Sequence, residues 1–194
     1  EPPEKMAPAD WNWADFSGAT LLQVELRHGG QLGEALRAKV REAIRHAAAS
    51  IVRRNVSMSY TNIAAKGTFV TLAAAELLGD GALLEYAVER MQRLARAIDE
   101  TGSFAEYNSP TYARVTLANL TRVRMYVKEA GARATAARIE ERVWAHLAAR
   151  WDARRWQFSG PMSRCYGTDL GSPAWLAKAL GNRILLVDAR KAPE

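Results

Sequence analysis

Asn62 to Leu78 reads NIAAKGTFVTLAAAELL, and the fold turns on this stretch. Ile63, Phe69, Val70, Leu72, Leu77, Leu78 and the run of alanines leave almost no polar side, so the segment predicts a helix buried on most of its surface. Upstream, Leu32, Leu36, Val40, Ile44, Ala47 and Ile51 recur every three or four residues with charges between them. That spacing predicts a one-faced helix over 32–53. Downstream, Gly79-Asp80-Gly81 ends the buried segment, and Leu84, Val88, Met91, Leu94 and Ile98 mark a second one-faced helix closing near Gly102.

The alternation then repeats. Residues 110–129 carry Val115, Leu117, Leu120, Val123, Met125 and Val127 on most sides, and after Gly131 a one-faced helix runs through Ile139, Val143, Leu147 and Trp151. Pairs of a mostly buried and a half-exposed helix thus recur at roughly fifty residues. The expected fold is all-α, an α/α hairpin repeat that builds an open superhelix or a closed ring with the buried helices inside. Residues 1–31 read as an N-terminal arm pinned by Trp11 and Trp13, residues 32–180 as the hairpin domain and 181–194 as a tail. Ile184 to Val187 reads as a short strand or as an extension of a last helix through Ala174, Leu176, Ala177 and Leu180.

Bulk properties narrow the function. The 194 residues suffice for one domain with a proper core, and the longest nearly uncharged run, 67–75, is too short for a membrane span. One cysteine, Cys165, excludes an internal disulfide framework, and histidines only at 28, 46 and 146 give no metal-ligand spacing, so neither metal nor cofactor is expected. The net charge of +6 invites a nucleic-acid reading. Arginines interleaved with glutamates, as in Arg37, Lys39, Arg41, Glu42, Arg45 and in Glu89, Arg90, Arg93, Arg96, instead read as solvated helix faces, so no nucleic acid is expected. The Pro-rich start suits a mature secreted or periplasmic protein or an arbitrary cut, with export the expectation.

Loops joining an outer helix to the next inner helix leave a hairpin stack at one end, and residues 53–62, 101–111 and 152–170 are those loops. They hold Asn55, Tyr60 and Asn62; Glu106, Tyr107, Asn108 and Tyr112; and Trp156, Ser163, Arg164, Tyr166, Thr168 and Asp169. The opposite turns, 79–81 and 130–132, are chemically blank. Aromatic faces suit stacking on sugar rings, and Asn and Arg suit hydroxyls and carboxylates, so an oligo- or polysaccharide is the expected partner. Glu106 and Asp169 would divide into proton donor and base or nucleophile if their separation falls in the range of about 5 to 9.5 Å used in glycoside hydrolysis. Plainer readings stand beside this: Glu106 capping the helix that starts near Ser109, Arg164 and Asp169 as a structural ion pair, and Tyr107 and Tyr112 as core residues with satisfied hydroxyls. Cys165 has no histidine near it in sequence, which argues against a cysteine nucleophile.

Four motifs carry a resemblance: Tyr60-Thr61-Asn62 opening an inner helix, Glu-Leu-Leu-Gly-Asp at 76–80, Glu-Tyr-Asn-Ser-Pro-Thr-Tyr at 106–112, and Gly-Pro-Met-Ser-Arg-Cys-Tyr-Gly-Thr-Asp at 160–169. Over roughly residues 50 to 170 the chain resembles bacterial and fungal proteins with an α/α-toroid catalytic domain, similar to six-hairpin glycosidases and to the toroid domains of polysaccharide lyases. The resemblance implies that Asn62, Glu106, Tyr107, Asn108, Tyr112, Arg164, Tyr166 and Asp169 line the ring's mouth. A closed ring of that kind needs about twice this length. The chain is then a fragment, a shortened relative or half of a dimeric assembly, with exposed terminal hairpins that favour homo-oligomers.

The expected function is that of a glycoside hydrolase acting on a polar or uronate-containing glycan. Glu106 and Asp169 would be catalytic, Arg164 would hold a carboxylate or hydroxyl, and Tyr60, Asn62, Asn108, Tyr112 and Tyr166 would position the sugar. The close variant is a polysaccharide lyase with Tyr107 or Tyr166 as base beside Arg164. A non-catalytic helical-repeat binding module is the alternative from a different class.

Overall fold

A computed structural model describes residues 10–152, 154–155, 157–164 and 173–181. Among them are α1 (Trp13–His28), a 3-10 turn (Gly29–Gln31), α2 (Glu34–Arg54), α3 (Thr61–Leu78), α4 (Gly81–Thr101), α5 (Pro110–Tyr126), α6 (Ala130–Arg150) and α7 (Pro173–Ala179). Two short strands, β1 (Trp151–Asp152) and β2 (Gln157–Phe158), pair antiparallel after α6. The fold is all-α. Ile184 to Val187 and all but the first residue of the expected tail lie outside the described residues.

Local chemistry sets the helix ends. Gly79 (φ 67°) and Gly102 (φ 72°) take the left-handed conformation that closes α3 and α4, a conformation costly for residues with a Cβ. The Asp80 carboxylate accepts from the Leu83 amide at 2.9 Å and opens α4. α5 stops at Tyr126, three residues short of the expected end. Glu129 is already the N-cap of α6, its carboxylate accepting from the amides of Gly131 and Ala132. Glu76, from the last turn of α3, accepts from the amides of Lys128 and Glu129 at 2.8 to 2.9 Å and ties that turn down.

Three helix pairs follow one another, α1 with α2, α3 with α4, α5 with α6. α3 also touches α1, α2 and α5, which makes it the centre of the molecule, and every residue from Thr61 to Ala75 is buried. The all-round apolar pattern at 62–78 is therefore the signature of a helix with four neighbours. Burying side chains such as Phe69, Val70 and Leu72 is worth about 1.5 to 3 kcal/mol each. α5 buries Ala113, Leu117, Leu120 and Val123 but leaves Met125 65% exposed, so it has an open flank where the sequence predicted enclosure on most sides.

Two further expectations change. The stretch read as an N-terminal arm contains a complete helix, α1. It is fastened to α2 through Glu25, whose Oε1 accepts from Arg37 and Arg41 at 2.8 and 2.9 Å, and it packs Leu22 into the core. Arg90, read as part of a solvated face, is fully buried within α4 on the same side as Ala87, Met91 and Leu94.

Candidate functional site

The first turn of α3 presents backbone amides that need acceptors, and the side chain of its N-cap residue, Tyr60, supplies none. Glu106 reaches across from the loop between α4 and α5 to do so. Its Oε2 accepts from the Asn62 amide at 2.7 Å, and Asn62 Nδ2 donates to Oε1 at 2.7 Å and Oε2 at 2.9 Å. Arg164 Nη1 closes an ion pair on Oε1. A carboxylate is favoured at a helix N-terminus by the exposed amides and the helix dipole. Glu106 is thus a cap, but of α3; α5 is capped by its own Ser109, whose Oγ accepts from the Tyr112 amide at 3.2 Å.

Arg164, with φ 53°, extends the cluster toward solvent. Its Nη2 donates to the Tyr112 hydroxyl at 3.0 Å, and its guanidinium carbon lies 4.2 Å from the Tyr112 ring centre and 5.3 Å from that of Tyr60. Asn108, also left-handed, donates from Nδ2 to the carbonyls of Pro161 (2.9 Å) and Ser159. The carbonyl of Tyr107 accepts from the Ser163 amide at 3.2 Å and hydroxyl at 3.1 Å, and its ring meets His146 edge-on at 6.4 Å.

The three loops expected to share one end therefore do meet: Asn62, Glu106, Arg164 and Tyr112 form one hydrogen-bonded group, the Tyr60 ring lies against the Arg164 guanidinium, and Asn108 holds the carbonyls at 159 and 161. Asp169 and Tyr166, together with Trp156, Cys165 and Thr168, lie outside the described residues. Glu106 is 3% exposed, and its oxygens are taken by Asn62 and Arg164. Such a carboxylate fixes loops in place and offers a substrate no free oxygen for proton exchange.

A second polar group lies deeper. Asp15 of α1 is 1% exposed, and burial pushes its carboxyl up to about 6, against the opposing pull of Arg54, Arg90 and Lys66. Lys66 of α3 is 7% exposed, with its ammonium 3.5 Å from the centre of the Phe16 ring; burial, reinforced by the neighbouring Arg122, lowers it to about 8. Arg54 Nη1 stands 3.8 Å from Asp15 Oδ2. Arg90 donates to Asn55 Oδ1 at 3.3 Å, while desolvation depresses its own ionisation. Asn55, expected at the loop-rich end, serves as the left-handed C-cap of α2 and also accepts from Tyr86 and Arg93 of α4. The sequence held a signal for this group: Lys66 is the one cation between Asn62 and Leu78, and Arg90 lies at helical spacing from Ala87 and Leu94.

The family model described as a domain of unknown function, DUF8769, matches residues 2–183. The chain belongs to this family. No curated protein and no solved structure matches it. The chain also carries a shallow groove of about 540 Å³ between α5 and α6, lined by Thr121, Arg124, Met125, Arg133 and Ala137, at the far end of α5 from the loop cluster. Among the described residues of this DUF8769 chain, no three His, Cys, Asp or Glu side chains gather as a metal site, and no helix is long and apolar enough to cross a membrane.

Proposed function

We propose that this chain is a carbohydrate-binding α/α hairpin module, an arc of an α/α toroid, which holds a polar or uronate-containing glycan at the rim formed by Tyr60, Tyr112 and Arg164. One observation carries the reading: a guanidinium with 36% of its side chain exposed is braced against two tyrosine rings at the mouth of the loop cluster. Aromatic faces take the C–H faces of sugar rings, and a planar guanidinium pairs with a carboxylate. Binding is preferred to hydrolysis through Glu106 because that carboxylate is consumed in holding α3, the loop before α5 and Arg164 together. The polysaccharide-lyase reading gains one specific support, the 3.0 Å bond from Arg164 to the Tyr112 hydroxyl, a phenol beside a cation. In that variant Tyr112 takes the base role expected of Tyr107 or Tyr166.

Calorimetric titration with oligogalacturonates and with neutral oligosaccharides of equal length tests the proposal. Oligogalacturonate should bind, and Arg164→Lys and Tyr112→Ala should each weaken it by about tenfold, the loss of one good contact. Silence across both series refutes binding at this rim. Release of an unsaturated product that disappears in Tyr112→Phe selects the lyase variant, and reducing ends that vanish in a folded Glu106→Gln variant restore hydrolysis.

A further inference from the structure

At Gly67, α1, α2 and α4 all come close to the backbone of α3. A Cβ placed there would lie 2.7 Å from Asp15 Oδ1, 3.1 Å from Ile51 Cγ2 and 3.2 Å from Arg90 Nη2. The carboxylate oxygen and the guanidinium nitrogen are therefore no farther apart than 2.7 plus 3.2, or 5.9 Å. They make no ion pair, which puts them beyond 4.0 Å. Both atoms are buried, and among the described residues Asp15 Oδ1, Arg90 Nε and Arg90 Nη2 have no hydrogen-bond partner.

A strong acceptor and a strong donor, both nine-tenths or more buried and facing one glycine, are a rare arrangement, since buried polar atoms are nearly always satisfied. The separation decides what satisfies them. Two hydrogen bonds of about 2.8 Å meeting at the tetrahedral angle of a water oxygen span about 4.6 Å, inside the window set by the two limits. We propose that Asp15 Oδ1 and Arg90 Nη2 are bridged by a single ordered water beside Gly67, which accepts from the guanidinium and donates to the carboxylate.

The other charges near Asp15 fit this assignment. Arg54 approaches from the Oδ2 side and is itself held by the Trp11 carbonyl and by Asn12 Oδ1 at 2.9 Å, so it does not compete for Oδ1. The Lys66 ammonium is turned to the Phe16 ring. Ile51 gives the site an apolar wall, so the bridging molecule is confined between its two polar partners. The bridge links α1 to α4 past the central helix, and the lack of a side chain at position 67 is what admits the two charged groups beside its backbone.

A crystal structure of the whole chain at a resolution that places ordered solvent is the direct test. One water within hydrogen-bond reach of both Asp15 Oδ1 and Arg90 Nη2 is expected. A direct carboxylate–guanidinium bond, or no solvent density between them, overturns the proposal. In solution, the α-protons of Gly67 should show magnetisation transfer to a water that stays bound for longer than about a nanosecond; its absence also overturns it. Asp15→Asn should keep the water, because the amide oxygen still accepts. Gly67→Ala should displace it and lower the thermal midpoint by several degrees, and a Gly67→Ala variant with an unchanged midpoint and the water still in place is the contrary result.

Discussion

Asp15 illustrates how far a single buried side chain can shape the behaviour of the molecule. Its folded-state carboxyl titrates at about 6 against an ordinary value of 3.8, so the folded chain holds the proton more firmly than the unfolded one. The stability this confers is complete below about pH 4 and is lost as pH rises through 6. The expected loss is on the order of 2 to 3 kcal/mol. Urea unfolding at pH 4 and at pH 7 should show it, and Asp15→Asn, which cannot ionise, should remove this contribution and leave only that of the carboxyls held below their usual range, Glu25, Asp99 and Asp152, which runs the other way. None of this was legible beforehand, because a carboxylate shows its environment only when its neighbours from other helices are known. Arg90 misled for a related reason: charges on both sides of it in sequence, Glu89 and Arg93, give the appearance of a wet face. Its helical phase with Ala87 and Leu94 was the better indicator.

Helix placement was far more readable. The all-round apolar pattern of α3 and the one-faced patterns of α2, α4 and α6 follow directly from how many neighbours each helix has, a property that periodicity encodes. α1 escaped notice because its buried stripe, Ala14, Gly18, Ala19 and Leu22, is built mainly of small residues with little hydrophobic contrast. Caps supplied from other elements were equally invisible. Glu106 caps α3 from 44 residues away, and Glu76 secures the start of α6 from 52 residues away. The second bond set predicts that Glu76→Ala, which removes acceptors for two amides, costs about 1 to 2 kcal/mol, against about 1 kcal/mol for the local cap lost in Asp80→Ala. Thermal unfolding of both variants should place Glu76→Ala at the lower midpoint.

At the scale of the whole molecule, the convergence of three loops at one end was legible because consecutive hairpins must return there; the partners within that cluster were not, since pairing depends on exact loop geometry. The bond from Glu106 to Arg164 has a practical corollary for where the chain can be trimmed. A cut at the close of α6, which looks natural from helix boundaries, removes the guanidinium at 164 and the carbonyls at 159 and 161. It would leave the Glu106 carboxylate with only its Asn62 donors and the buried Asn108 amide without its two carbonyls, at a cost of about 1 to 3 kcal/mol for each group. A polypeptide ending at residue 150 should therefore melt well below the 194-residue chain in calorimetry, whereas one ending just past 164 should recover much of the difference. The smallest self-sufficient version of this protein is therefore expected to reach beyond α6, to the arginine that locks the loops.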